Sequence, residues 1–139
     1  YVKIFKYSDT RIESALNYID SKKIIIIAHS CGAHMLLSFI DNMGIGNISG
    51  IVLLGAGAVD KGQAMKTDIN LSNYKIPVLN IYAEYDHNSV KQFADVLKLQ
   101  YSISQDKYLN ALEVNSADHN YKDQTYTLIE SVKKWLKAL

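Results

Sequence analysis

The chain has 139 residues, 48% of them hydrophobic and 21% charged, with a formal net charge of +1. That length sustains one hydrophobic core and excludes a second, so residues 1–139 are expected to form a single domain, and the composition excludes a disordered chain. Acidic and basic residues are interspersed, which leaves no electrostatic footprint for nucleic acid, and a single cysteine excludes an internal disulfide framework.

Tyr1 to Tyr7 alternates apolar and basic residues and reads as a short strand or a lead-in segment. Ser8 and Asp9 then offer helix N-caps, and Ile12, Ala15, Leu16 and Ile19 recur at helical spacing, so an amphipathic helix is expected to about Asp20. Four consecutive isoleucines, Ile24 to Ile27, are β-branched and too short a run for a membrane span. They suit a strand buried on both faces of a parallel sheet. The run breaks at Ala28-His29-Ser30-Cys31-Gly32 and resumes with Met35, Leu36, Phe39 and Ile40 at helical spacing, a helix expected to end near Met43 before Gly44 and Gly46.

Ile51 to Leu54 is the second strand. Gly55-Ala56-Gly57-Ala58 after it lacks the spacing of a phosphate-binding loop and reads as a close-packed turn. Val59 to Lys75 is polar, with room for a short helix or a lid. Val78 to Tyr82 is the third strand, followed by a helix capped by Asn88 or Ser89 with Val90, Phe93, Ala94 and Leu97 on one face. Leu109 to Val114 is the fourth strand. The last helix, from about Asp123, carries Leu128, Ile129, Val132, Trp135, Leu136 and Leu139 as a wide stripe that should lie on the sheet. Strands alternating with helices predict an α/β fold, a mostly parallel sheet with helices on both faces.

In a parallel sheet the carboxyl ends of all strands share one edge. Ser30 follows the first strong strand, Glu84, Tyr85 and Asp86 follow the third, and Asp118 and His119 follow the fourth, so a serine, an acid and a histidine arrive together. A serine hydroxyl becomes a nucleophile when a neutral imidazole takes its proton, and a carboxylate fixes the tautomer of that imidazole. His119 would be the base and Asp86 the acid. Glu84 and Asp118 are rival acids, less well placed because Glu84 is nearer the strand and Asp118 adjoins the histidine. Each residue has a plainer reading as well, Ser30 as a helix cap, Asp86 as a turn residue and His119 as a surface residue. His29, His34 and His87 match no standard zinc spacing, so no metal is expected. Tyr82, Tyr85 and Tyr121 would wall a pocket.

Ala28-His29-Ser30-Cys31-Gly32 resembles the nucleophile turn of the α/β-hydrolase superfamily, G-x-S-x-G, with Ala28 in place of the first glycine. In that turn the backbone doubles back, so residues 28 and 32 are expected to be small. The frame centred on Cys31 is excluded because it would put His29 at a small-residue position. Ile81 to Asp86 resembles the superfamily's strand and G-x-x-D segment, with Ala83 for glycine, and Ala117-Asp118-His119 its terminal histidine turn.

The resemblance covers the later part of that fold and implies a truncated sheet lacking the N-terminal strands. It implies a serine hydrolase acting, without a cofactor, on a small-molecule carboxylic ester or thioester through an acyl-serine, with catalytic Ser30, Asp86 and His119 and the backbone N–H of Cys31 as an oxyanion donor. The second oxyanion donor of the family comes from a loop that has no counterpart here. A non-catalytic fragment or binding module therefore stays open beside the enzyme. The isoleucine strand would lie near a sheet edge and favour self-association unless Tyr1 to Phe5 covers it. With no membrane span and no signal peptide in sight, the cytoplasm is the default compartment, although a start at Tyr1 leaves room for a removed targeting segment.

Overall fold

A computed structural model describes residues 7–58, 70–104 and 109–139. Helix α1 (Ser8–Tyr18) leads into strand β1 (Ile24–His29), helix α2 (Cys31–Met43) and strand β2 (Ile48–Leu54). A 3-10 turn (Leu71–Tyr74), strand β3 (Val78–Ala83), helix α3 (Asn88–Ser104), strand β4 (Leu109–Val114) and helix α4 (Thr125–Lys137) complete the chain. The strands form one four-stranded sheet in the order β1-β2-β3-β4, and every pair is parallel. Consecutive parallel strands need a crossover, which α2 and α3 supply for the β1 to β2 and β3 to β4 connections.

Period-two alternation divides the strands between two cores. Ile51, Leu53, Val78 and Leu109 face α2 and α3, where Leu36, Leu37, Phe39, Ile40, Phe93 and Leu97 are buried. Val52, Leu79, Ile81 and Val114 face the opposite way, toward Val132, Leu128 and Trp135 of α4. The sheet is thus covered on both faces, as βαβ patterning requires.

Several expectations change. β1 is not buried on both faces: among the described residues it is the edge strand that the resemblance implies, and Ile27 is 54% exposed. A run of isoleucines reads alike for a central strand and for an edge strand awaiting a neighbour. β2 begins at Ile48 rather than Ile51, because Ile24 and Ile25 pair with Ile48 and Gly50 around an irregularity in the ladder. At α1 neither Ser8 nor Asp9 caps. The cap is Tyr7, without a side-chain bond, Ser8 is buried in the first turn, and Asp9 Oδ2 accepts from the Asn42 amide on α2 at 2.8 Å. Ile12 and Leu16 pack on the core, while Ala15 and Ile19 face outward. The stripe of α4 is only half engaged, with Ile129, Leu136 and Leu139 exposed. The expected strand or lead-in over residues 1–6 and the 59–69 part of the expected lid lie outside the described residues; Leu71, just after the latter, is buried in the core.

Along β1, backbone groups that no described strand pairs lie beside the exposed Ile27, and they are expected to draw a second copy of the chain. Sedimentation should show concentration-dependent association that Ile27→Lys weakens. A monodisperse monomer at high concentration would contradict this.

Candidate active site

Ser30 stands between the last residue of β1 and the first of α2, with φ 52 and ψ −118. A left-handed φ at a residue with a Cβ costs about 1–3 kcal/mol and persists only where the surroundings enforce it. Here the Ser30 N–H donates to the Leu54 carbonyl at 2.8 Å, and the Ser30 carbonyl accepts from Ala33 N–H at 3.0 Å, opening α2. The hydroxyl makes no capping bond. It points instead to His119, whose Nε2 lies 2.9 Å from Ser30 Oγ.

Ala28 is buried in the core, in keeping with a small residue there. Gly32 differs from expectation: a Cβ at this position would meet nothing within 4 Å, so crowding does not demand glycine. The N–H of Cys31, at the first position of α2, has no acceptor within the helix, and the positive end of the helix dipole reinforces it as a donor.

Asp86 follows β3 in a turn closed by its own N–H to the Ala83 carbonyl at 3.2 Å. Its side chain is fully buried. Oδ1 accepts from His87 N–H at 2.9 Å and from His119 Nδ1 at 2.7 Å, and Oδ2 accepts from Ala83 N–H at 3.3 Å. An ionised carboxylate only accepts, so the hydrogen on the His119 ring sits on Nδ1 and leaves Nε2 free to accept from Ser30. The structure thus brings Ser30, His119 and Asp86 into one hydrogen-bonded chain. It engages the rival acids elsewhere: Glu84 Oε2 accepts from Ser116 N–H at 2.7 Å, and Asp118 Oδ1 accepts from Asn120 N–H at 3.0 Å and Lys122 N–H at 3.4 Å. Both bind the turn after β4.

The His119 ring is held from several sides. His29 Nε2 donates to the His119 carbonyl at 2.9 Å, and the two rings lie 5.1 Å apart; the His87 ring is 4.9 Å away on another side. Gly55, with φ +56, provides the seat: a Cβ there would lie 2.8 Å from Cε1 and 2.9 Å from Nδ1 of His119. Gly57, two residues on, allows no Cβ either, since one would lie 2.5 Å from Phe93 Cβ, and its N–H donates to the buried His34 Nε2 at 3.3 Å. The 55–58 segment is therefore a close-packed turn.

The tyrosines do not act as a group. Tyr82 is buried and accepts from Lys98 Nζ at 2.7 Å, and Tyr85 is exposed. Tyr121 is buried and donates its phenol hydrogen to the Ile81 carbonyl at 2.9 Å. Burial, and secondly the nearby Asp86 carboxylate, push the Tyr121 phenol well above its ordinary range, so it stays a donor anchoring the histidine turn to β3. Asp86, His87 and His119 place one potential metal-ligand atom each within 4.8 Å of one another. Two of the three are already bonded to each other through His119 Nδ1.

The sequence does not single out His29 and Gly55 for these roles, since one is the variable residue of a turn and the other a loop glycine. The signal available is their position beside strand ends of the same sheet edge.

No protein-family model and no curated protein sequence matches the chain. Solved structures do. A predicted CIB-like hydrolase from Thermoplasma acidophilum superposes with a TM-score of 0.72 at 16% identity, covering 97% of this chain and 60% of that one. An esterase from Rhodococcus sp. ECU1013 also gives 0.72, at 14% identity, with 95% and 72% covered. A monoacylglycerol lipase from Paleococcus ferrophilus gives 0.68 at 11% identity, with 95% and 74% covered. The chain has part of the α/β-hydrolase fold, and spans 60% of the length of the first of these neighbours.

The seat under His119 can be tested without any substrate. Gly55→Ala should displace the ring and abolish the low-field proton resonance of a histidine Nδ1–H bonded to a carboxylate. An unchanged resonance in that variant would contradict the packing described.

Proposed function

We propose that the chain is a serine hydrolase cleaving a small carboxylic ester or thioester through an acyl-serine intermediate. The single observation that carries this reading is the chain of hydrogen bonds from Ser30 Oγ through His119 to Asp86, built at a serine whose backbone is held in a strained turn. The hydrolase fold of the neighbours supports it at the level of architecture.

In this reading, His119 Nε2 takes the Ser30 proton as Oγ attacks the ester carbonyl carbon. The developing imidazolium is stabilised by Asp86, and the oxyanion accepts from Cys31 N–H. Collapse of the tetrahedral intermediate expels the alcohol or thiol, which receives the proton from His119, leaving an ester between the acyl group and Ser30 Oγ. Water then attacks that ester with the ring again as base, releasing the acid and restoring Ser30. His29 and Tyr121 hold the turn that carries the base, and Gly55 leaves room for its ring.

A second reading, a non-catalytic module with the same fold, draws on the single oxyanion donor that can be named. Loss of one such donor typically lowers turnover by about 10²–10³-fold, so the chain alone is expected to be slow even if catalytic. No helix among the described residues is long and apolar enough to cross a membrane.

Hydrolysis of p-nitrophenyl acetate separates the readings. Ser30→Ala should remove the protein-dependent rate with the fold intact, since the hydroxyl supports no packing or cap. Asp86→Asn should lower it by about 10⁴-fold through the wrong histidine tautomer. Glu84→Gln should be mild, because its amide oxygen can still accept from Ser116 N–H. A rate indifferent to Ser30→Ala would overturn the hydrolase reading, and a larger effect at residue 84 than at residue 86 would move the acid.

A further inference from the structure

At the end of the strands away from Ser30, the first halves of β3 and β4 meet the second half of α3 around a cavity of about 340 Å³. Val78, Leu97, Leu109 and Ala111 give it apolar walls, and Lys98 and Tyr101 line it from α3. Asn80 lines it too, in the middle of β3 on the face turned to α3. This side chain is only 1% exposed, and neither its amide nitrogen nor its carbonyl oxygen has a hydrogen-bond partner among the described residues.

Buried polar groups almost always have a partner, and leaving one unsatisfied costs about 1–3 kcal/mol. A strand whose other residues are Val, Leu, Ile, Tyr and Ala, all buried, would hold a leucine at this position without difficulty. Neither amide atom is open to water in this conformation, so water in the cavity does not satisfy Asn80. The volume falls within the range of small-ligand sites.

We propose that this cavity binds a flat, mainly apolar small molecule through a primary carboxamide or cis-lactam edge paired with the Asn80 side chain, whose amide, sealed while the cavity is empty, turns toward the ligand on binding. An asparagine amide presents a donor and an acceptor side by side, and only a group offering the complementary acceptor and donor satisfies both. A carboxylate satisfies the N–H and sets its charge against the Asn80 carbonyl, whereas a tertiary amide leaves that carbonyl without a donor. The ring of such a ligand would lie between Leu97 and Leu109. Lys98 is held by Tyr82 Oη at 2.7 Å and by Asp95 Oδ1 at 3.6 Å, which keeps its ammonium at the rim rather than on Asn80. None of the lining residues belongs to the Ser30 chain of hydrogen bonds, so the site stands whether or not the protein is a hydrolase.

The test uses benzamide as probe on the whole chain, followed by NMR. Benzamide should shift the Asn80 side-chain NH₂ resonances and the methyls of Leu97 and Leu109, saturating in the millimolar range, with benzoate and N,N-dimethylbenzamide about tenfold weaker or more. Asn80→Leu should abolish the response with the remaining spectrum folded. Ala111→Leu, which keeps Asn80 and narrows the cavity, should weaken it as well, so that a folding defect in one variant does not decide the matter. No shift at benzamide's solubility limit, equal shifts from all three compounds, or shifts that persist in Asn80→Leu would overturn the proposal and leave a cavity holding water only.

Discussion

The hydrogen bond from Ser30 N–H to the Leu54 carbonyl carries the β1–β2 ladder one residue past the end of β1 and fixes where the chain turns. Everything at the carboxyl edge is positioned from that point. Because residue 30 is still tied to β2, the backbone must reverse within the residue itself, hence its positive φ, and α2 starts at once with the Cys31 N–H beside the hydroxyl. The same ladder ends β2 at Leu54, so Gly55 is the next residue at the edge, and its N–H donates to the Ile81 carbonyl of β3 at 2.9 Å. That carbonyl also accepts from the Tyr121 phenol. One carbonyl thus gathers the turn after β2 and the turn after β4 above the end of β3, and His119 is lodged between them.

Much of this is legible in the sequence because parallel sheets collect strand ends. The β-branched run at Ile24 to Ile27, the alternation of strand and helix patterns, and the placement of Ser30, Asp86 and His119 just after strands follow from residue types and chain order alone. What the sequence does not carry are features set by partners far along the chain. The exposure of β1 is one: the resemblance implies an edge position, but the isoleucine run itself reads as buried on both faces, because it does not report how many neighbours the strand has. The cap of α1 is another: Asp9 has the form of a local cap, but Asn42 on the next helix competes for its carboxylate. The stripe on α4 reads as wholly buried because spacing shows which residues share a face and not how wide a strip the sheet can cover.

The histidines show the same division. The turn around His119 singles it out, yet the groups that hold it, His29 and Gly55, come from two other strand ends and become visible only when the rings and backbone are in place. Asn80 is a sharper case. In the sequence it is a polar residue inside a short apolar strand, inconspicuous beside the acid that follows, and in the fold it is a buried amide with no partner among the described residues, facing a cavity. Local pattern and global packing agree across most of the chain and part company at Ser30, Gly55 and Asn80, where strain, close approach and an unpaired polar group concentrate.

The proposed activation of Ser30 by His119 is tested most directly by covalent capture. A fluorophosphonate reacts with an activated serine by forming an O–P bond and releasing fluoride. A single adduct is expected by intact mass, mapped by peptide analysis to Ser30, absent in Ser30→Ala and much slower to form in His119→Ala. An unmodified chain after prolonged exposure, or an adduct mapping to another residue, would contradict it.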